Sequence, residues 1–565
     1  MTQNRDRSAQ LATGLAVGLA AAAALRALWW ASYVGVIENE GVEYTRLAAN
    51  LFHGRGYVSV FGGTHTLFPP LYPILIGLAA PLLGSEEIAA RAVSLLAGVA
   101  TVAGVFWLAR EVFGLRVAVL AGALAATHPM LVAFSVTTYS EVLYVALATL
   151  GAAAAVRCVR EPSWVFAGGA GALAGLAYLT RPEGLALAVP MAGLVLLAGL
   201  AGGRRRAPAA LAMAALVIVA AAAVAAPYAV HLSRIAGGFR WEGKSALNNV
   251  VAVRQRAGLS YREAGYGLGP EGEAVGPFLM PDQHALLARP AGGAGSLVGV
   301  LARSPVERVA KLLRRIAAAR FLGAPPIILL AVAGLLGTAW WRTKLLAGAV
   351  VLAPPAVTVA VLLSLEFAWD RYFLPFVPFL VVWAAAGADA LGRGASALLA
   401  RAGAGARARR IGGGATVALL ALAVLLVAAR GVPRIQQISE TRRTGAREAG
   451  ARLAADAGAR RDGGRRPRIA SLGLALAHYA DGEVVYLPYA EETLALRFLH
   501  ERAPDYVALR TTESAMTPYA PRWLAEGIGD ACAQEITDLP PAAAASYRLW
   551  RWTCGAERGA PRPPG

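Results

Sequence analysis

Charge is scarce in this sequence. Only 16% of its 565 residues are Asp, Glu, Lys or Arg, where a soluble globular chain carries about a quarter. That shortage, with a mean hydropathy of +0.52, excludes a string of ordinary soluble domains. Lysine is nearly missing: Lys244, Lys311 and Lys344 stand beside 51 arginines among 54 basic residues, in a chain of net charge +19. The basic residues fall at the ends of apolar runs and in the tail, without the stripe interleaved with aromatics that nucleic acid requires, so no nucleic-acid partner is expected. Topology signals facing an anionic lipid leaflet account for most of them. Cysteine occurs three times, and no Cys/His spacing of metal-binding type is visible, so no metal is assigned. Cys532 and Cys554 lie in the tail, where an oxidising compartment would let them pair, and the sequence leaves that pairing open.

What the chain has instead is long apolar runs, at about 11–35, 87–109, 116–136, 141–157, 164–180, 184–202, 208–231, 321–341, 345–365, 372–388 and 412–429. Runs near 20 residues cross a ~30 Å hydrocarbon layer as helices. Leu67 to Leu83 is shorter and holds Pro69, Pro70, Pro73 and Pro81, which suits a re-entrant or interfacial segment better than a crossing. Eleven membrane helices result, with the N-terminus inside. Arg110, Arg116, Arg157, Arg160, Arg204 to Arg206, Arg342, Lys344 and the basic loop around Arg401 and Arg407 then face the cytoplasm. The first run is too long for a cleaved signal peptide and reads as an uncleaved helix.

The expected architecture is an all-α polytopic membrane domain over 1–429 followed by a small α/β extracytoplasmic domain over 430–565. In the tail, "PRIASLG", "GEVVYLP" and "APDYVALR" alternate with helical stretches such as "EETLALRFLHERA". Outer loop 36–86 carries the re-entrant segment. Outer loop 232–320 ends in an amphipathic stretch, Ser296–Leu322, whose Val306, Val309, Leu312 and Leu313 oppose Arg308, Lys311, Arg314 and Arg315, the pattern of a helix lying in the membrane interface.

Ionisable residues at membrane depth or on the outer surface are costly, so their default reading is functional. The first outer loop is densest in them, with Glu38, Glu40, Glu43, Tyr44, Arg46, His53, Arg55 and His65. The bland alternative is a solvated loop. His53 and His65 lack an i,i+4 His/Glu pair and read as hydrogen-bonding residues. A divalent cation is left open.

The order of these features resembles a family. "Glu40-Gly-Val-Glu-Tyr44", "LAANLFHGRGY" and "PPLYPILIGLAAPLLG" look like the first loop of the integral-membrane GT-C glycosyltransferases, of the protein O-mannosyltransferase and aminoarabinose-transferase type. "Thr180-Arg-Pro-Glu-Gly184" resembles that family's mid-chain basic Pro-Gly turn, and "Arg371-Tyr-Phe-Leu-Pro-Phe-Val-Pro378" its late Arg-Tyr-x-x-Pro helix. The resemblance implies transfer of a sugar from a polyprenyl-phosphate donor to an acceptor, whether protein, lipid or glycan, on the outer face of a bacterial inner membrane. Such a reaction needs a carboxylate to take a hydroxyl proton and fixed cations for the leaving phosphate, for which arginine's planar fork suits well.

The resemblance puts Glu40 in the place of the base, with Glu38 in reserve, because the family's usual aspartate is replaced here by glutamates. Glu141 matches a second acid of the family, its alternative being a helix-start charge. Arg371, Arg181 and Arg26, with Tyr44 and Tyr372, are the candidate lipid-phosphate and donor residues. The alternatives are that Arg371 pairs with Asp370, that Arg181 pairs with Glu183, and that Arg26 snorkels. Competing functions are a transporter or flippase of lipid-linked saccharides, which would predict internal repeats that are not seen, and a non-catalytic envelope assembly protein.

Overall fold

The computed structural model describes residues 2–32, 35–37, 39–203, 205–280, 305–338, 342–364, 370–433, 445–460 and 465–554. Each of the eleven apolar runs overlaps an apolar helix among the described residues. Among the described residues, seven helices are long and apolar enough to cross a membrane: Thr13–Ala31, Glu86–Phe113, Glu141–Arg160, Pro182–Ala201, Ala207–Ala236, Asp370–Arg401 and Ala406–Ala429. Leu115–Thr127, Trp164–Tyr178, Pro326–Gly337 and Ala347–Ala360 are shorter. Helices are the expected solution in lipid, because each backbone N–H and C=O must find its partner within the segment.

Proline sets the breaks that matter. The run 116–136 is not one helix: it ends at Thr127 and restarts as Pro129–Phe134. His128, the residue before the proline, is extended at φ −63° and ψ 120°, as the proline ring demands of its predecessor. Arg181 is forced out of helical geometry in the same way, at φ −149° and ψ 133°, just before Pro182. The Pro-rich segment forms the helix Leu71–Leu83, at ~1.5 Å per residue too short to cross the hydrocarbon. Its Leu71 N–H donates to Leu179 O at 2.9 Å, tying it to the end of Trp164–Tyr178.

The late helices approach closely. A Cβ on Gly387 would lie 1.9 Å from Leu330 O, and one on Gly334 would lie 2.3 Å from Trp383 O. Glycine at both positions lets Pro326–Gly337 and Val377–Arg401 touch backbone to backbone, which fixes the turn Asp370–Phe376 at the head of the second.

The tail folds as a five-stranded sheet: β1 (Arg468–Ser471), β2 (Glu483–Tyr486), β3 (Tyr506–Arg510), β4 (Ala533–Glu535) and β5 (Tyr547–Trp552), in the order β2-β1-β3-β5-β4. β1 runs parallel to β2 and β3, whereas β5 is antiparallel to β3 and β4. Alternate residues face opposite sides. Ile469, Val484, Tyr506, Ala508 and Leu549 enter one apolar cluster, and Ala470, Val485, Val507, Leu509 and Trp550 another. The first of these clusters also contains Val36, Ile37, Val42 and Val60, so the segment after the first helix completes the core of the tail sheet. Arg46 reinforces the seam, donating to Asp481 Oδ1 and Gly482 O at 2.9 Å each. Cys532 and Cys554 form a disulfide, with Cα atoms 5.2 Å apart.

The amphipathic stretch is described from Pro305 onward, as the helix Pro305–Ala318; its first part, 296–304, lies outside the described residues. Val306, Val309 and Leu313 are exposed, while Leu312 and Ile316 pack on the helical core. Arg315 donates to Asp370 Oδ1 at 3.0 Å.

Candidate active site

Helix Glu40–Phe52 begins directly after the first long helix and its loop, with Glu40 and Glu43 in its first turn, where the helix dipole favours anions. The Glu40 carboxylate points at the turn Asp370–Phe376. Arg371 grips it with both terminal nitrogens, Nη2 to Oε1 at 2.8 Å and Nη1 to Oε2 at 3.1 Å. This is the two-pronged geometry that guanidinium and carboxylate planes share. Lys244 Nζ lies 3.4 Å from the same Oε1. Glu40 is 14% exposed and Arg371 12%. Burial pushes the Glu40 carboxyl up, but Arg371, Lys244 and Arg181 outweigh it and hold the group at about 2.

A second carboxylate sits behind the first. Glu141, at the start of Glu141–Arg160, is fully buried. Its Oε1 is 3.0 Å from Arg181 Nη1 and 3.7 Å from Arg371 Nη1. These are ion-pair distances without hydrogen-bond alignment, so neither oxygen is hydrogen-bonded among the described residues. Arg181 Nε donates to Glu183 Oε1 at 2.6 Å. The aromatic rings close the cluster. Arg371 lies over Tyr139 at 4.5 Å and Tyr372 at 5.4 Å, Arg181 over Tyr372 at 5.7 Å, and Lys244 over Phe68 at 5.1 Å. Tyr44 supports this floor, its ring 5.0 Å from that of Phe68 and its hydroxyl 2.8 Å from Ser140 Oγ.

One turn beyond Glu40, Glu43 and His65 form a buried pair, Oε1 to Nδ1 2.8 Å. Phe68 N–H donates to His65 Nε2 at 2.9 Å, which puts the imidazole proton on Nδ1, facing Glu43. Val60 N–H donates to Glu43 Oε2 at 3.0 Å. Burial raises the Glu43 carboxyl, but His65, Ser59 and Val60 together bring it below the usual range.

The structure thus brings together Glu40, Glu141, Arg181, Arg371, Tyr44 and Tyr372. It does not bring Arg26 to them. That guanidinium is fully buried and donates to Ser135 Oγ at 3.0 Å, Ala22 O at 3.0 Å, Ala126 O at 3.1 Å and Ala125 O at 3.4 Å. Two of these carbonyls end the helix that Pro129 interrupts, so Arg26 satisfies acceptors that the break leaves without backbone partners. Glu38 lies outside the described residues. His53 is exposed, with Nδ1 2.6 Å from Ala49 O. Among the described residues, His500, Cys532 and Cys554 come within metal-binding range of one another, but the two sulfurs are bonded to each other.

Comparison with known proteins adds the fold. A family model, dolichyl-phosphate-mannose-protein mannosyltransferase, matches residues 68–231. The oligosaccharyltransferase AglB from Archaeoglobus fulgidus, solved with an inhibitory peptide and a dolichol-phosphate, superposes with a TM-score of 0.60 at 16% identity, over 91% of this chain and 71% of that one. ArnT from Cupriavidus metallidurans, bound to undecaprenyl phosphate, superposes with a TM-score of 0.54 at 16% identity, over 95% and 98% of the two chains. The chain has the GT-C fold. No curated protein sequence matches it.

Within this GT-C fold, the matched segment carries Phe68, Tyr139, Glu141, Arg181 and Glu183, while Glu40, Lys244 and Arg371 lie outside it. Lys244 escaped the sequence reading because the loop around it has no pattern. The only signal was its identity, one of three lysines in a chain that otherwise uses arginine. Tyr139 was hidden inside "TTYSEVLY" beside Glu141, where a ring reads as helix-start packing.

Proposed function

We propose that this membrane protein is a glycosyltransferase that moves a sugar from a polyprenyl-phosphate carrier to an acceptor on the outer face of a bacterial inner membrane, with its N-terminus cytoplasmic and its tail domain outside. The observation that carries the reading is the Glu40–Arg371 contact inside a largely buried cluster of three carboxylates and three cations. Such a cluster supplies both functions the transfer needs, a proton acceptor and a seat for phosphate. Its likeness to the folds of AglB, solved with a dolichol-phosphate, and ArnT, solved with undecaprenyl phosphate, supports a carrier of the same chemistry.

In this mechanism the acceptor O–H lies between Glu40 and the anomeric carbon. Glu40 takes the proton as the oxygen's lone pair forms the new C–O bond. The bond from the anomeric carbon to the phosphate oxygen breaks on the opposite side, and the phosphate leaves with the electron pair. Arg371, with Arg181 behind it, stabilises the charge that develops there, and Tyr372 holds both guanidinium planes in place. Glu141 keeps the two arginines aimed into the cluster from below. The test is transfer from a lipid-linked sugar in membranes carrying Glu40→Gln. A loss of ~100-fold or more is expected for removal of a general base, and a loss under about threefold would remove Glu40 from that role.

A further inference from the structure

The cluster as it stands poses a chemical difficulty. A carboxylate whose two oxygens are both held by Arg371, with Lys244 alongside, has little affinity for a proton. The same Arg371 is the cation best placed for phosphate. Base and phosphate seat occupy each other.

The three cations are not equally committed. Arg181 is engaged by Glu141 through Nη1 and by Glu183 through Nε. Arg181 is thus shared between two carboxylates on different elements, Glu141 at the start of Glu141–Arg160 and Glu183 in Pro182–Leu187. Arg371 gives both prongs to Glu40 alone, and only a longer 3.7 Å approach to Glu141. Lys244 contacts the same oxygen of Glu40 and is the most exposed of the three cations, at 26% against 14% for Arg181 and 12% for Arg371. It rests over the Phe68 ring at the open side of the cluster. A phosphodiester presents two charge-bearing oxygens to a guanidinium as a carboxylate does. It also carries the same single negative charge, so it can replace the carboxylate on this pair of cations without altering their charge balance.

We propose that Lys244 and Arg371 form one clamp, occupied by Glu40 in the ligand-free chain, from which the carrier's phosphodiester displaces Glu40. The inference rests on the glycosyltransferase reading of the same site and adds Lys244 to its phosphate contacts. Exchange makes the carboxylate a competent base only when the donor is seated. Once Arg371 turns to phosphate, the burial that pushes the Glu40 carboxyl up is no longer outweighed by its closest cation. After transfer, loss of the accepted proton to water restores the Glu40 carboxylate, which retakes the clamp as the spent carrier leaves.

The exchange makes an unusual prediction: removing the base's charge tightens carrier binding. Purified full-length chain in nanodiscs is titrated with undecaprenyl phosphate, with undecaprenol as the uncharged control. Glu40→Gln is expected to bind undecaprenyl phosphate about tenfold or more tightly than wild type and undecaprenol equally well. Glu40→Asp, whose shorter arm keeps the charge but loosens the grip, is expected to fall between them, and serves if the glutamine variant fails to fold. Lys244→Ala is expected to weaken binding of the phosphate form by tenfold or more in either background. Unchanged or weaker carrier binding in both Glu40 variants would overturn the exchange while leaving the glycosyltransferase reading standing. Equal tightening toward undecaprenol would overturn it as well. Failure of the wild type to bind undecaprenyl phosphate any better than undecaprenol would overturn both.

Discussion

Arg371 reaches past Asp370, its neighbour in sequence, to hold Glu40 from 331 positions away. Asp370 is taken instead by Arg315 of the amphipathic helix Pro305–Ala318. The turn Asp370–Phe376 therefore joins two networks, one leading into the candidate site and one leading to a helix whose Val306, Val309 and Leu313 are exposed.

Arg371→Lys is not a conservative change at such a site. A lysine keeps the charge but cannot supply two parallel donors. Transfer from a lipid-linked sugar is expected to fall by about 30-fold or more in Arg371→Lys and further in Arg371→Ala. The alanine variant also leaves Glu40 and Glu141 with one cation fewer in a largely buried setting, which costs about 3 kcal/mol. A thermal shift assay on the purified chain reads that cost. Full activity in the lysine variant would argue against a two-pronged role.

The depressed carboxyl of Glu40 carries a pH signature. Its folded value of about 2 lies below the ordinary 4.5, so its ionised form stabilises the fold above pH 4.5. That contribution is lost as pH falls from there toward 2. The Tm difference between wild type and Glu40→Gln should stay constant from about pH 8 to about pH 5.5 and shrink by about pH 3.5. A difference that held steady over the acid range would show that the pair does not lower this carboxyl.

Arg26 separates a structural role from a binding one. Its guanidinium lies among carbonyls and Ser135 with no approach to Glu40. Arg26→Met is expected to lower stability by about 2–3 kcal/mol, the cost of orphaned acceptors that had a charged donor. KM for the lipid-linked donor should stay within about twofold of wild type. A tenfold rise in KM with unchanged Tm would place Arg26 at the carrier instead.

Much of this molecule is legible before folding. Apolar runs of the right length become helices because lipid offers the backbone no other partner. Pro182 falls between two apolar runs and marks their break, because the clash with the preceding residue is local. Pro129 instead breaks a run that hydropathy reads as one helix, and Pro81, Pro227, Pro354 and Pro355 lie inside helices. The short β-branched and apolar runs in "VVYLP" and "DYVAL" mark strands β2 and β3 for an equally local reason, since a run of about four to eight such residues suits a strand packed on both faces.

The candidate site was legible only in part. Glu40, Glu141, Arg181 and Arg371 stood out as charges where charge is costly, but their pairing did not. Arg371 had an acid next to it and took a distant one. Arg181 took its near neighbour Glu183 and a distant Glu141 together. Lys244 had no pattern around it, and Arg26 looked as functional as the rest.

Hydropathy and short apolar runs therefore determined where most helices and strands of this chain lie, because those preferences act over a few residues. Only the tertiary structure decided which charge meets which, which arginine serves a broken helix, and that the segment after the first helix completes the core of the tail sheet. The strength of an ion pair depends on distance and burial in space, and separation along the chain sets neither.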